Sequence, residues 1–258
     1  MRVTSNLQWP EAPFAGTDRF FGAPERYVVA LDVEWTKNYK IKNGSRPFCY
    51  SMVLVRWPKD GSDLSSYPVG FGFKSVYVTS ADDEAELVAE LDRDTQAWLA
   101  TDSILTGHQL SSDLSVVRAV AGGELPGVDG AYNLWKTRRG EASRVFDTRY
   151  DVDHLPLGAS RRLVDVCTDL KLGVAQPELA RGSMTKLQRE YLDHGRELVR
   201  EQLLTLNVRH SLSTALVACL ALGLVEAGSQ NVNDLLHEEM WDLVDYVRSD
   251  QFKPLLSP

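Results

Sequence analysis

Apolar and polar positions alternate in blocks along the chain, and the blocks change period about a third of the way through. Residues 1 to 26 scatter Trp9, Phe14, Phe20 and Phe21 among Pro10, Pro13, Pro24 and other turn formers, which predicts an ordered arm packed through its aromatics. Residues 27 to 33 (YVVALDV) are densely apolar and β-branched, and predict the first core strand. Residues 48 to 55 (FCYSMVLV) and 69 to 78 (VGFGFKSVYV) predict two more, joined by a polar turn near Lys59–Ser66 into an antiparallel meander.

The helical period follows. Ser80–Ala81–Asp82–Asp83 is a capping signal, and Leu87, Val88, Leu91, Trp98 and Leu99 recur on one helical face. Residues 103 to 106 predict a short buried strand running into Gly107. Asp113 to Val120 predict a helix stopped by Gly122–Gly123. The glycine-bearing polar stretch from 124 to 144 predicts an excursion, and residues 144 to 147 a last short strand. Beyond it the pattern is helical: one helix capped by Ser160 with Leu163, Val166, Cys167 and Leu170 on a face, two over 185–205 and 211–226, and a terminal one over 232–249 with Trp241, Val244 and Val247 inward. Strands, a helix, a strand and then helices make an α/β chain. No Gly-x-Gly-x-x-Gly follows a strand, which argues against a doubly wound nucleotide-binding fold.

Composition narrows the class. With 258 residues, 43% hydrophobic and 25% charged, the chain has the size of one large domain or one domain with an appendage. It has no unbroken run of about 18 apolar residues and no basic-then-apolar start, so the expectation is a soluble, cytoplasmic protein with no membrane partner. Cys49, Cys167 and Cys219 stand too far apart to suggest a disulfide framework or a zinc knuckle. The formal charge of −8 argues against a protein that coats nucleic acid by counterion release, but not against an enzyme whose site is itself acidic. Much of that charge sits at residues 81 to 102, eight acids against one base on a helix expected to be solvated. Residues 131 to 171 hold eight bases against six acids.

Two segments carry candidate chemistry. Asp32-x-Glu34 ends the first strand, and side chains two apart on a strand share a side. Charged groups on a core strand are costly unless paired or metal-bound; the other reading is an edge strand with its acidic side in water. Residues 106 to 114 (TGHQLSSDL) end a buried strand in a glycine turn and place Asp113 at a helix start, where an aspartate is ordinarily a cap.

Taken together, Asp-x-Glu on a first strand and Gly-His-x4-Asp about 75 residues later resemble the first two motifs of the DEDD 3′–5′ exonuclease superfamily. Phe146-Asp147-Thr148 is similar to the Asp-Thr that follows the second motif, and residues 160 to 173 to the leucine-rich helix before the third. The resemblance implies a ribonuclease H-like three-layer fold over residues 27–228, with a mixed sheet of about five strands flanked by helices. Residues 1–26 would be an N-terminal arm and 229–258 a C-terminal helical extension. It implies metal-dependent hydrolysis of single-stranded DNA or RNA from the 3′ end, with two Mg²⁺ or Mn²⁺ ions. Asp32 would bridge both ions, Glu34 would bind one, and Asp113 would hold the second.

The third motif departs from that pattern. Where the family carries Tyr-x3-Asp or His-x4-Asp, residues 206 to 216 (LNVRHSLSTAL) contain no acid. On the first form Leu206 and His210 replace Tyr and Asp, with Thr214 where several relatives have threonine; on the second His210 is the catalytic histidine and Ala215 replaces the Asp. His210 then stands as a metal ligand, as a general base, or as a helix-start histidine making a backbone contact. Alternatively the fourth ligand is lost, and the domain binds nucleic acid or a protein partner without cutting. A small-molecule phosphoesterase is a third reading.

Trp35, His108, Arg209 and Thr214 are the candidate substrate contacts, Trp35 by stacking on a terminal base or else as a core residue, and His108 otherwise as a structural hydrogen-bonding residue. Arg138–Arg139, Arg161–Arg162, Lys186, Arg196 and Arg200 are solvated or touch phosphates. Asp147, Asp151 and Asp153 are expected in a solvated turn, and Asp165 and Asp169 on a solvent-facing helix side.

Overall fold

A computed structural model describes residues 1–7, 26–36, 45–57, 71–140, 143–180, 182–225 and 230–255. The expected meander is present: β2 (Arg26–Thr36) pairs antiparallel with β3 (Arg46–Trp57), and β3 with β4 (Phe71–Tyr77). On the other side of β2 lie β5 (Ile104–Gly107) and then β6 (Val145–Asp147), both parallel. A strand that the apolar pattern does not announce, β1 (Arg2–Ser5), closes the far edge against β4, so the order is β1-β4-β3-β2-β5-β6. Polar side chains hold that edge: the Ser5 hydroxyl donates to the Phe73 carbonyl, and Asn6 bridges the Phe71 carbonyl and the Phe73 N–H. The aromatics expected in the arm, and the turn near Lys59–Ser66, lie outside the described residues.

The result is an α/β protein whose mixed six-stranded sheet separates two cores. Odd positions of β2 (Val29, Leu31, Val33) face a core shared with α1 (Glu84–Leu99), α2 (Leu110–Val120) and α3 (Pro126–Lys136). Even positions (Val28, Ala30) face α4 (Leu163–Asp169), α6 (Glu197–Ala221) and α7 (Val232–Met240). The two-residue alternation of a strand therefore decides which helices each side chain meets. By length and composition α6 could cross a membrane, yet most of its residues are packed inside the fold.

Several sequence expectations are corrected by tertiary contacts. The stretch 124–144 is not an excursion, because 126–136 is α3. Its Gly127 serves close approach: a Cβ there would collide with the Asp92 carbonyl and lie 2.7 Å from the Gln96 amide nitrogen. Gly127→Ala is expected to cost about 1–3 kcal/mol in urea denaturation, whereas Gly122→Ala, with open space around it, leaves stability near wild type.

The acidic helix is only partly solvated. Asp92 is buried and accepts from the Val128 N–H, and buried Asp94 accepts from Lys74 Nζ (2.7 Å) and the Tyr50 hydroxyl (2.6 Å). Burial lowers the Lys74 pKa and raises that of Asp94, so each charge depends on the other for its place in the interior. Ser160 bonds Asp165 instead of capping α4, which starts after Arg162. The terminal helix stops at Met240, with Val244 and Val247 buried but Trp241 exposed.

The helix break expected between 205 and 211 falls earlier. Helix α5 (Met184–His194) closes on Gly195, whose φ of 61° suits glycine, and α6 then runs unbroken through the third-motif stretch. His210 is therefore a mid-helix residue. Its neighbours one turn away become relevant for that reason.

Candidate metal centre

Asp32 and Glu34 continue the face of β2 that carries Val28 and Ala30, past the point where the apolar packing ends. Helix α6 is fastened to this end of the sheet by a buried polar seam. The Ser51 hydroxyl donates to the Asn207 carbonyl and is bonded to the Ser211 hydroxyl at 2.7 Å. The seam sets Asn207 against Asp32: its Nδ2 donates to Asp32 Oδ2 at 2.7 Å and to the Asp32 carbonyl, while its Oδ1 accepts from the Cys49 thiol.

One turn on, His210 Nδ1 lies 3.1 Å from Glu34 Oε1 and 3.6 Å from Asp32 Oδ2. Potential ligand atoms of the three side chains all lie within 4.8 Å of one another. Burial opposes a charge on the ring, but the two carboxylates outweigh it and hold the His210 pKa up at about 10. The imidazolium is thus the positive partner of Asp32 and Glu34.

Asp113 enters from α2 on the other side of β2. Sequence logic makes it the helix cap, but that work falls to Asp147. Asp147 is fully buried, which corrects the solvated turn expected there. Its Oδ1 accepts from the N–H groups of Gln109 and Arg149, and its Oδ2 from the Leu110 N–H and the Trp135 indole. Four donors on one carboxylate hold Gln109 in the left-handed conformation (φ 71°) from which α2 starts. Asp147→Asn would turn an NH₂ group toward two of those donors. It is expected to cost about 2–3 kcal/mol, measured by equilibrium denaturation, with Asp147→Ala at least as damaging.

Relieved of capping, Asp113 is buried, and its Oδ2 has no hydrogen-bond partner among the described residues. Burial, then the charges of Asp32 and Glu34, push its carboxyl well above the usual range, against a hydrogen bond from the Val33 backbone. Asp113 lies outside the group of three whose ligand atoms sit within 4.8 Å of one another, and a buried carboxyl beside two carboxylates stays protonated unless a cation pairs with it; where one does, its hard oxygens suit Mg²⁺ or Mn²⁺. Asp32, Glu34, Trp35, His108 and Asp113 line one cleft of about 380 Å³, walled opposite by Ser183–Thr185 at the start of α5.

The other expected residues divide between this cleft and the interior. His108 is fixed at both nitrogens, Nδ1 to the Thr148 hydroxyl (3.0 Å) and Nε2 to the Arg161 carbonyl (2.9 Å). Burial lowers its pKa to about 4, so it forms a neutral, rigid wall. Trp35 is half-buried, packed on the first core with part of its surface in the cleft. Arg209 is not at the cleft: it is fully buried, with both terminal nitrogens on Glu178 at 3.0 and 3.1 Å. Thr214 is also buried in α6 away from the cleft, Leu206 lies in the first core and Ala215 in the second.

Asp151 is pinned by Arg138 and the Asp147 N–H, while Asp153 alone of that acid cluster is well exposed. Asp165 and Asp169 bond Ser160 and the Gly158 N–H. Asn207 is the residue the sequence reading missed. It lies three before His210 on the same helical face, so the periodicity of an unbroken helix points to it. No model of a known protein family matches this chain, and no curated protein matches it.

Proposed function

We propose that the protein is a metal-dependent 3′–5′ exonuclease of the DEDD type, acting on single-stranded DNA or RNA on a ribonuclease H-like fold. The observation that carries this reading is buried Asp113, which lines the same cleft as Asp32 and Glu34 and whose Oδ2 has no hydrogen-bond partner among the described residues. Support comes also from the mixed sheet, in which β5 lies beside β2 and leads into α2, so that Asp113 lines the cleft with Asp32 and Glu34 of β2. Asp32, Glu34 and Asp113 would hold two ions, Mg²⁺ or Mn²⁺, with His210 beside them; such ions supply Lewis acidity toward a phosphodiester and a water of lowered pKa.

The chain's own residues have defined tasks in that reaction. Asn207 fixes the orientation of Asp32 through a neutral donor, which leaves the carboxylate charge available. His210 Nδ1 lies 3.1 Å from Glu34 Oε1, so the ring is held beside the carboxylates that would bind the ions, in place to take a proton from an attacking water. Neutral His108 adds no charge to the wall, and Trp35 offers a surface for a terminal base.

The test is incubation with 5′-labelled single-stranded DNA and RNA in Mg²⁺ and in Mn²⁺. A ladder shortening from the 3′ end and stopped by EDTA is expected; internal cuts or an intact strand would overturn the assignment. One observation favours the second reading, binding without cutting: among the described residues the α6 side of the site offers an amide and an imidazolium, not a fourth carboxylate. That reading requires a bound but intact strand in the same tubes.

A further inference from the structure

Resting on that reading, we propose that the face formed by α3 and the 147–162 segment is the track that holds the substrate strand behind its 3′ end. The track begins at the cleft wall. The Arg161 carbonyl that receives His108 Nε2 also accepts from Arg149 Nη1 (3.3 Å), and the Arg149 guanidinium lies 6.0 Å from the Tyr150 ring. The Arg138 guanidinium is 5.9 Å from the same ring and stacks 4.2 Å from Trp135. Trp135 and Tyr132, three residues apart on α3, stand nearly parallel at 14° with centroids 6.3 Å apart. Arg118 and Lys136 lie 4.4 and 4.5 Å from the Tyr132 ring. Cations and rings therefore alternate from the cleft wall to the C-terminal half of α3.

This alternation is what sequence-tolerant binding of a single strand requires: positive groups for successive phosphates and π faces for bases. Core packing accounts for only part of it: Tyr132 and Trp135 lean on the first core, but Tyr150 is 38% exposed and Lys136 lies on the surface with no carboxylate partner among the described residues. The Arg139 side chain is 75% exposed, with its nearest carboxylate among the described residues 3.8 Å away on Asp151. Arg138 is held by Asp151 at 2.8 Å, so its planar group is already oriented.

The track also shares a joint with the metal centre. Trp135 donates to Asp147, the same carboxylate that sets the start of α2 and hence Asp113. A strand lying on the rings would thus be registered against the carboxylates by rigid elements. Residues 81–102 carry eight acids against one base, and on this face Arg118 pairs with Asp129 and Arg138 with Asp151, so Lys136, Arg139 and Arg149 are the cations left for phosphates.

The test is fluorescence anisotropy of labelled oligothymidylate and oligouridylate in EDTA, where no cleavage occurs, with Lys136→Glu/Arg139→Glu and Tyr150→Ala beside wild type. The charge variant is expected to bind about tenfold more weakly and to lower the log–log salt slope by about two; Tyr150→Ala is expected to weaken binding about tenfold. Unchanged thermal unfolding confirms folding, and hydrolysis of a dinucleotide in Mn²⁺ should match wild type because it never reaches the track. Variants that bind long strands as tightly as wild type, or a wild type that binds none, overturn the proposal. If strand binding is lost in the variants while no protein cleaves in Mn²⁺, the track stands and the exonuclease reading fails. If wild type and variants cleave and bind alike, the reverse holds.

Discussion

Asp113→Asn is expected to reduce Mn²⁺-dependent strand cleavage by about a thousandfold or more and, in the same molecule, to make the metal-free protein more stable. The first effect follows from removing a hard anionic ligand where several kcal/mol of charge stabilisation is required, about 1.4 kcal/mol per tenfold in rate. The second follows from the site itself. A buried carboxylate with one unpartnered oxygen, facing Asp32 and Glu34, opposes folding whenever it is ionised. An amide of the same shape removes that charge, for a gain of about 1–3 kcal/mol in urea denaturation with EDTA.

The pH dependence has a fixed sign. The carboxyl is raised in the folded state above its unfolded value near about 4, so the fold binds the extra proton. Its contribution to stability is full below that value and is lost as pH rises toward the folded pKa. Asp113→Asn should flatten this slope, and a variant less stable than wild type across the range would show that the carboxylate serves the fold instead of a cation.

Arg209→Met should produce the largest loss of stability from a single polar substitution, about 3–5 kcal/mol. Glu178 is 4% exposed at its side chain and Arg209 fully enclosed, so truncating the guanidinium leaves an anion in the interior. The same glutamate accepts from the Tyr246 hydroxyl at 2.7 Å, and the guanidinium lies 5.4 Å from the Phe252 ring. The pair thus clamps the 3₁₀ turn at Pro177–Leu179 and the C-terminal segment onto α6, beside His210. Glu178→Gln combined with Arg209→Met should recover part of the loss, because no buried charge then remains. If Arg209 contacted substrate instead, the single variant would keep its denaturation midpoint and lose only strand affinity.

These interior roles explain where sequence reading succeeded and where it could not. β-Branched density located β2, and apolar patterning located β3 and β4, since buried strands show it without tertiary context. The two-residue period put Asp32 and Glu34 on one side, and the resemblance to the exonuclease motifs singled out Asp113 and His210. What the sequence conceals is partnership. Asp147, Asp94 and Arg209 look like any surface charge until distant segments supply four N–H donors, a lysine or a glutamate. Gly127 and Gly130 look like turn formers because a glycine permitting close helix approach has the same signature as one permitting a bend. Reading a break before His210 hid Asn207, which shares its face only if α6 is continuous.

The most direct measurement is calorimetric titration of Mn²⁺ into the wild-type protein and into Asp32→Asn and Asp113→Asn at constant ionic strength. Saturable binding to wild type that disappears in both variants, with all three proteins folded by circular dichroism, is the expected result. Equal binding in the three proteins, or none in wild type, would contradict a metal centre built on these carboxylates.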